Sequence, residues 1–408
     1  MGNPVTVIVG AGQAGSELAT TLRQQGYAGS IVLIGDENYI PYRRPPLSKT
    51  YLSGEASLES LYLRPSAAYA KHAIDCRIGI GVESIDRTAH SLRLYDGTTL
   101  TYDKLALATG GRARRLSVPG ADRSNVHYIR TVADVDRLKQ EFGGGKRLVI
   151  IGGGYIGLEV ASVGIKRGCH VTVIEALPRV LARVAAPKIS AFYERVHSGH
   201  GVALRTGIGV HSLEGDKACA VVLADGTRLA ADLVVVGVGL IPNTELAEAA
   251  GIETSNGIVV DRYAVTSDPD IVAAGDCTNH DNVFLGRRSR LESVPNALEQ
   301  ARVAAASILG NPRAYDAAPW FWSDQYDLKL QMVGLSEGHD ELIVRGDMDA
   351  NSFTAFYLKE GTVISADSVN RPQDFLLAKR LVTERATVPP EHLRDDAVPL
   401  KSLLQAKA

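Results

Sequence analysis

Arg147-Leu-Val-Ile-Ile-Gly-Gly-Gly-Tyr-Ile-Gly-Leu-Glu-Val-Ala161 is an apolar run that breaks into glycines and resumes with small and apolar residues at helical spacing. Gly152, Gly154 and Gly157 fit G-x-G-x-x-G, the turn that brings backbone N–H groups and a helix N-terminus up to a pyrophosphate. Beyond the helix lies a second strand, His170-Val-Thr-Val-Ile174, closed by Glu175. A carboxylate at that point accepts hydrogen bonds from an adenosine ribose and repels a 2′-phosphate, so the pattern predicts NADH over NADPH. Alone the motif is weak, because other strand–helix turns also use glycines. The same arrangement, however, is written twice in this chain.

Val5-Thr-Val-Ile-Val9 runs into Gly10-Ala-Gly-Gln-Ala-Gly15, with glycines at Gly10, Gly12 and Gly15. A helix is expected to about Gln25, then Gly26 as its C-terminal cap, then the strand Ser30-Ile-Val-Leu-Ile34. Asp36 and Glu37 follow Gly35, and both are candidates for the ribose contact. The correspondence continues downstream. Gly79-Ile-Gly-Val-Glu-Ser-Ile85 matches Gly207-Ile-Gly-Val-His-Ser-Leu213, and the hairpin signal Asp96-Gly-Thr98 matches Asp225-Gly-Thr227. Asp103-Lys-Leu-Ala-Leu-Ala-Thr-Gly110 matches Asp232-Leu-Val-Val-Val-Gly-Val-Gly239. The copies keep step except between Asp36 and Gly79, where the first carries an extra stretch of about fourteen residues. Two dinucleotide-binding units in one chain imply two cofactors, and the natural pair is FAD with NAD(P)H.

The run Ile271-Val-Ala-Ala274, ending in Gly275-Asp276, has no counterpart at the corresponding place in the first copy. It is expected to complete the first domain from a distance, which makes the second copy an insertion within the first. A helix follows over 295–306. From Ala317 the texture changes, with both tryptophans and strand-like runs at Gln331–Leu335, Glu341–Val344, Ser352–Leu358 and Thr362–Ser368, then a helix over Asp374–Glu384. The fold class is therefore α/β: two Rossmann-like dinucleotide-binding domains, the second inserted in the first, plus a C-terminal α+β domain. The expected boundaries are 1–112 with 242–315 for FAD, 113–241 for NADH, and 316–408 for the third domain.

Composition narrows the chemistry. At 408 residues the chain exceeds one ordinary core. It is 45% hydrophobic and 22% charged with net charge −2, which gives no sign of nucleic-acid binding. Cys76, Cys169, Cys219 and Cys277 are scattered without C-x-x-C, which argues against a disulfide framework, a metal or iron–sulfur site, or a redox dithiol. A reducing, cytoplasmic setting follows. No run is long enough to span a membrane. Gly2 fits an N-myristoylation pattern, but a strand expected to be buried begins three residues later, which speaks against acylation.

The extra stretch of the first copy contains Pro41-Tyr-Arg-Arg-Pro-Pro-Leu-Ser-Lys49. Its prolines favour an extended course, and its arginines suit a pyrophosphate through charge-assisted hydrogen bonds, with Arg44 the foremost candidate. Gly275-Asp276 at a strand end offers a carboxylate to a ribityl hydroxyl. Glu159, in the first turns of the central helix, is either a favourable charge on the helix dipole or a partner for Lys49 near the isoalloxazine. His197-x-x-His200 reads as polar helix-end surface, since it lacks the further ligands of a zinc site. Arg287, Arg288 and Arg290, with Arg112, Arg114 and Arg115, form either a basic rim or ordinary solvated surface.

With these residues in place the chain resembles the FAD-dependent, NADH-specific ferredoxin reductases of the putidaredoxin reductase type. The stretches that carry the resemblance are Pro45-Pro-Leu-Ser-Lys49, Leu107-Ala-Thr-Gly-Gly111, Val149-Ile-Ile-Gly-Gly-Gly-Tyr-Ile-Gly-Leu-Glu159, Gly239-Leu-Ile-Pro-Asn243, Glu292-Ser-Val-Pro-Asn-Ala-Leu-Glu-Gln300 and Ala318-Pro-Trp-Phe-Trp-Ser-Asp-Gln325. The resemblance implies FAD contacts at Ala14, Asp36, Lys49, Val82, Ala108, Thr109, Gly110, Arg130, Asp276 and Val294. It implies NADH contacts at Gly154, Tyr155, Ile156, Gly157, Glu175 and Gly239, with Trp322 close to the flavin and a Lys49–Glu159 pair beside the isoalloxazine. Asp36 follows Gly35 instead of ending the strand directly, a departure from the simple fingerprint. The implied activity is hydride transfer from NADH to FAD, then single electrons to an acidic 2Fe–2S ferredoxin that docks near the flavin edge and supplies a haem-thiolate monooxygenase. Alternatives are the reductase of an aromatic-ring dioxygenase, a rubredoxin reductase, a peroxide-forming NADH oxidase, or an NADH-sensing flavoprotein like apoptosis-inducing factor.

Overall fold

Two five-stranded parallel sheets repeat one plan. A computed structural model describes residues 3–404, so Gly2 and its acylation pattern lie outside the described residues. The chain divides into two compact units. One is Met1–Arg43, Leu58–Arg112 and Ile241–Pro319; the other is Arg44–Ser57, Ala113–Leu240 and Trp320–Ala408.

In the first unit the sheet runs Ile271–Ala273, Lys104–Leu107, Val5–Val9, Ser30–Gly35, Ile74–Ile78. Its inner strands are mostly continuous runs of apolar and β-branched residues, as expected where both faces are covered, whereas the edge strand Ile74–Ile78 carries Asp75 and Arg77. Val7, Ile8, Leu33, Leu105 and Ile271 lose nearly all contact with solvent. The late strand Ile271–Ala273 pairs in parallel with Lys104–Leu107, so it completes the first sheet as its sequence suggested. The helices Gln13–Gln24 and Val294–Ile308 share one core, where Ala301, Ala304 and Ala305 meet Leu18 and Leu22.

The second unit repeats this with Ala203–Thr206, His170–Glu175, Arg147–Ile151, Leu233–Val236 and Val126–Tyr128. Its outer strand comes from just before the glycine loop, not from a distant return, and its three residues carried no periodic signal. Each unit also carries an antiparallel meander. Val82 pairs with Leu94 and Val210 with Leu223, and in both copies the register slips immediately afterwards, at Val82/Ser84 and Val210/Ser212. A β-bulge kept at one place in both copies is a feature of the plan.

The last quarter is an antiparallel sheet in the order Trp320–Gln325, Leu328–Gly334, Thr362–Val369, Ser352–Lys359, Glu341–Asp347, with the helix Pro372–Thr383 packed on it. The strand Trp320–Gln325 was not among those expected. Its alternation is hidden because Trp320, Phe321 and Trp322 are aromatic on both faces. Among the described residues no helix is long and apolar enough to cross a membrane.

Candidate functional site: two dinucleotide loops and a buried ion pair

The two glycine loops agree residue by residue. Gly10 has φ +113° and Gly152 φ +112°, a region that side chains rarely adopt. A Cβ on Gly10 would lie 2.1 Å from the Ala108 carbonyl oxygen, and one on Gly152 would lie 2.3 Å from that of Gly237. The third glycines fill the same role on the helix side: a Cβ on Gly15 would meet the Gly10 oxygen at 2.0 Å, and one on Gly157 the Gly152 oxygen at 2.0 Å. Strand, loop and helix are thus packed backbone to backbone.

The middle glycines differ in kind. Gly12 and Gly154 are the N-caps of Gln13–Gln24 and Tyr155–Lys166, and neither helix start has a side-chain cap. Around each middle glycine a Cβ would find nothing within 4 Å. The N-terminal N–H groups of both helices therefore face open space, the arrangement that receives a pyrophosphate. These cradles fit the two dinucleotides that the sequence implies.

The acidic residues complete each loop in different ways. Glu175 ends its strand and turns back to the loop, where Oε2 accepts from Gly153 N at 2.7 Å and Oε1 from Leu177 N at 2.9 Å. In the first unit the equivalent strand end is Gly35, and a Cβ there would lie 2.5 Å from the Ala11 Cβ. The side chain stands at 11 in one copy and at 175 in the other, with glycine opposite in each case. That exchange is why the first acidic residue comes one position late. The Glu37 carboxylate accepts from Tyr42 Oη at 2.6 Å, whereas Asp36 is exposed.

Of the other candidate residues of the first unit, two groups follow strand ends of the parallel sheet. Ala108, Thr109 and Gly110 follow Lys104–Leu107 and are tied to Asn243: Thr109 Oγ1 donates to the Asn243 carbonyl, and Asn243 Nδ2 to that of Thr109. Gly275 and Asp276 follow Ile271–Ala273, and a Cβ on Gly275 would be 3.1 Å from the Ala14 Cβ. Val82 opens the meander. Val294 opens the helix Val294–Ile308, which is capped by Ser293.

In the second unit Arg44 Nη1 donates to the Arg130 carbonyl at 2.7 Å. Lys49 Nζ lies 2.6 Å from Glu159 Oε2, in a pair whose side chains are 15% and 3% exposed. Tyr155 opens the helix after Gly154; its hydroxyl donates to Met332 Sδ and its ring lies 5.3 Å from Phe321. Ile156 is half exposed, and Gly239, at φ +108°, accepts from Arg114 N. Trp322 lies on Trp320–Gln325, with its ring 5.8 Å from that of Trp320.

One expectation changes. His197 is not helix-end surface: it is fully buried, with Nε2 2.8 Å from Gln325 Oε1 and Nδ1 3.1 Å from Tyr326 Oη. The arginine clusters are in part internally paired, since Arg112 meets Glu245 at 2.6 Å and Arg290 meets Glu292. All four cysteines are free thiols, and burial pushes the Cys277 thiol up, away from the reactive thiolate. Sequence reasoning missed Ser48 and Ser323, which both donate to Glu159. The only clue in the sequence was their place inside Pro45–Lys49 and Ala318–Gln325.

Residues 5–301 match the family model of pyridine nucleotide-disulphide oxidoreductases, and 320–404 match the reductase C-terminal domain. Putidaredoxin reductase of Pseudomonas putida is 49% identical over 99% of this chain and 97% of its own length. The ferredoxin–NAD(+) reductase component of the anthranilate 1,2-dioxygenase system of Burkholderia cepacia is 42% identical over 98% of both chains. The crystal structure of a covalent putidaredoxin reductase–putidaredoxin complex superposes with TM-score 0.95, covering 99% of this chain and 98% of that one. With its two glycine loops, its shared register and a full-length likeness of this degree, the chain belongs to the pyridine nucleotide-disulphide oxidoreductase family, among the FAD- and NAD(H)-binding ferredoxin reductases of the putidaredoxin reductase type.

Proposed function

We propose that the protein is an NADH-dependent reductase that passes electrons singly to an acidic 2Fe–2S ferredoxin, which in turn supplies a haem-thiolate monooxygenase. The observation that carries this reading is the likeness to putidaredoxin reductase along 99% of the chain. When bound, FAD supplies the change from two-electron to one-electron transfer. The Gly10–Gly15 loop holds its pyrophosphate, assisted by Arg44, and Asp36 takes its ribose, because the Glu37 carboxylate is engaged by Tyr42. Ala14, Val82, Ala108, Thr109, Gly110, Arg130, Gly275, Asp276 and Val294 complete the FAD contacts, with Trp322 close to the flavin. Gly152–Gly157, Glu175 and Gly239 hold NADH. Lys49 and Glu159 hold fixed charge and a proton beside the isoalloxazine. The domains divide as 1–112 with 242–315, 113–241 and 316–408, and the setting is cytoplasmic.

The scattered cysteines, with no C-x-x-C among them, support the single-electron exit, since a family member that reduces disulfides needs a dithiol to receive the electron pair. The reductase of an aromatic-ring dioxygenase is the second reading, favoured by the anthranilate relative. Purified protein carrying FAD, given NADH and excess 2Fe–2S ferredoxin without oxygen, should reduce two ferredoxins per NADH. Exposed arginines that steer docking would make that rate fall with salt, while reduction of a small dye would not. Peroxide formation in air with no ferredoxin reduction contradicts the proposal.

A further inference from the structure

Glu159 ends a buried line of hydrogen bonds whose direction is fixed by charge. Its Oε2 takes Lys49 Nζ at 2.6 Å and Ser48 Oγ at 2.5 Å, and its Oε1 takes Ser323 Oγ at 2.6 Å. A carboxylate only accepts, so Ser323 must give its single hydrogen to Glu159. Ser323 can then only accept from Gln325, whose Nε2 is 3.2 Å away. The Gln325 amide nitrogen is thereby turned to Ser323 and its oxygen to His197 Nε2, at 2.8 Å. His197 must donate through Nε2–H. Burial pushes the imidazolium down to about 4, so the ring is neutral at pH 7 and its Nδ1 is a bare acceptor. Tyr326, whose hydroxyl burial holds well above its usual range, donates to that nitrogen from 3.1 Å. Its ring stacks on His200 with centroids 3.8 Å apart.

Three separate elements supply this line. Glu159 comes from Tyr155–Lys166, His197 from the last turn of Pro187–Gly199, and Ser323 and Gln325 from the buried face of Trp320–Gln325. Ser323, Gln325 and His197 are each at most 1% exposed. A buried polar line of this kind is costly unless every member is satisfied, and here each link has one allowed sense.

We propose that Ser323, Gln325 and His197 are positioning residues that orient the Glu159 carboxylate against Lys49 through this one-way line, its sense set by the negative charge on Glu159. The effect on rate rests on the reading that the Lys49–Glu159 pair serves the flavin; the sense of the line does not.

Oxidised holoenzyme labelled with 15N-histidine reads the tautomer directly. His197 should be neutral at pH 7 with its hydrogen on Nε2. Its signals are assigned by their loss in His197→Asn and by their shift in Tyr326→Phe, which removes only the partly exposed donor. A hydrogen on Nδ1, or a charged ring, overturns the line, and this wild-type measurement decides the matter even if no core variant folds. Gln325→Leu removes both links, while Gln325→Met also removes them but keeps the length and shape of the side chain. Both should slow flavin reduction by NADH on the order of tenfold, the upper worth of one neutral hydrogen bond, with NADH affinity little changed. A packing role alone would spare the Met variant, so full rate there beside a slow Leu variant overturns the positioning role. If the tautomer tips in Gln325→Leu while flavin reduction is unchanged in both variants, the flavin role of the Lys49–Glu159 pair fails instead, and the two failures read differently.

Discussion

The two glycine loops share φ to within a degree at Gly10 and Gly152, yet they carry their carboxylates differently. In the second loop Gly153 leaves room for Glu175, which folds back and accepts from the Gly153 N–H. In the first, the Ala11 methyl fills that room and leaves only glycine at 35. The shared part is what any dinucleotide needs: tight turns, a bare helix start and close strand–helix packing. On the proposed function, the differing part selects the nucleotide. Duplication keeps the first and leaves the second free to diverge.

The largest effect should come from the shared part. Gly15→Ala and Gly157→Ala place a Cβ 2.0 Å from a backbone oxygen that cannot move without breaking the loop. Each should destabilise its unit by at least about 3 kcal/mol, as overpacking against backbone does at its upper range. Thermal melts should show it, and equal melts for wild type and variants would mean that the loops are looser than described.

Next comes the ion pair, which is buried, whereas Glu17 at the matching place on the first loop's helix meets the exposed Arg302 at 2.8 Å. Lys49→Ala leaves a carboxylate that is 3% exposed without its cation. A loss of about 3–5 kcal/mol is expected, because breaking a buried pair strands the remaining charge. Adding Glu159→Gln should recover most of it, and a double variant no more stable than Lys49→Ala would argue against a coupled pair.

Glu175→Ala removes the selective side chain, together with its hydrogen bonds to Gly153 N and Leu177 N. NADH should bind more weakly by roughly 1.5–3 kcal/mol, the worth of hydrogen bonds to a charged group, and the preference over NADPH should relax. Steady-state kinetics with both nucleotides measure this, and an unchanged preference would take Glu175 out of the ribose pocket.

The smallest effect tests the exchange itself. Gly35→Ala alone should cost about 1–3 kcal/mol through the Ala11 contact. In an Ala11→Gly background the same change should cost less than about 1 kcal/mol. Equal costs in both backgrounds would show that the 2.5 Å approach is not what keeps residue 35 bare.

These contrasts also mark what a sequence can disclose. Gly10, Gly152 and the late strand at 271–273 were legible because glycine spacing and apolar runs are local signals. The strand Val126–Tyr128 was not, since three residues hold no period and gain their place only by pairing with Leu233–Val236. His197 looked like surface because His-x-x-His at a helix end says nothing of which way the last turn faces. Only the packing of Pro187–Gly199 near Trp320–Gln325 buries it. Glu159 was visible as a charge, but its serine partners come from 111 residues before it and 164 after. No spacing rule reaches that far.

Gly12 and Gly154 offer the most direct test of one loop for each cofactor. Both have negative φ and empty surroundings, so a side chain there meets ligand and not protein. Anaerobic NADH titration of Gly154→Val, followed by the flavin spectrum, should show full FAD content and an unchanged melt, but NADH affinity weaker by about two orders of magnitude, close to 3 kcal/mol. Gly12→Val should instead lose FAD. A Gly154→Val protein that is bleached by NADH at the wild-type concentration, or that loses its flavin, would contradict the assignment.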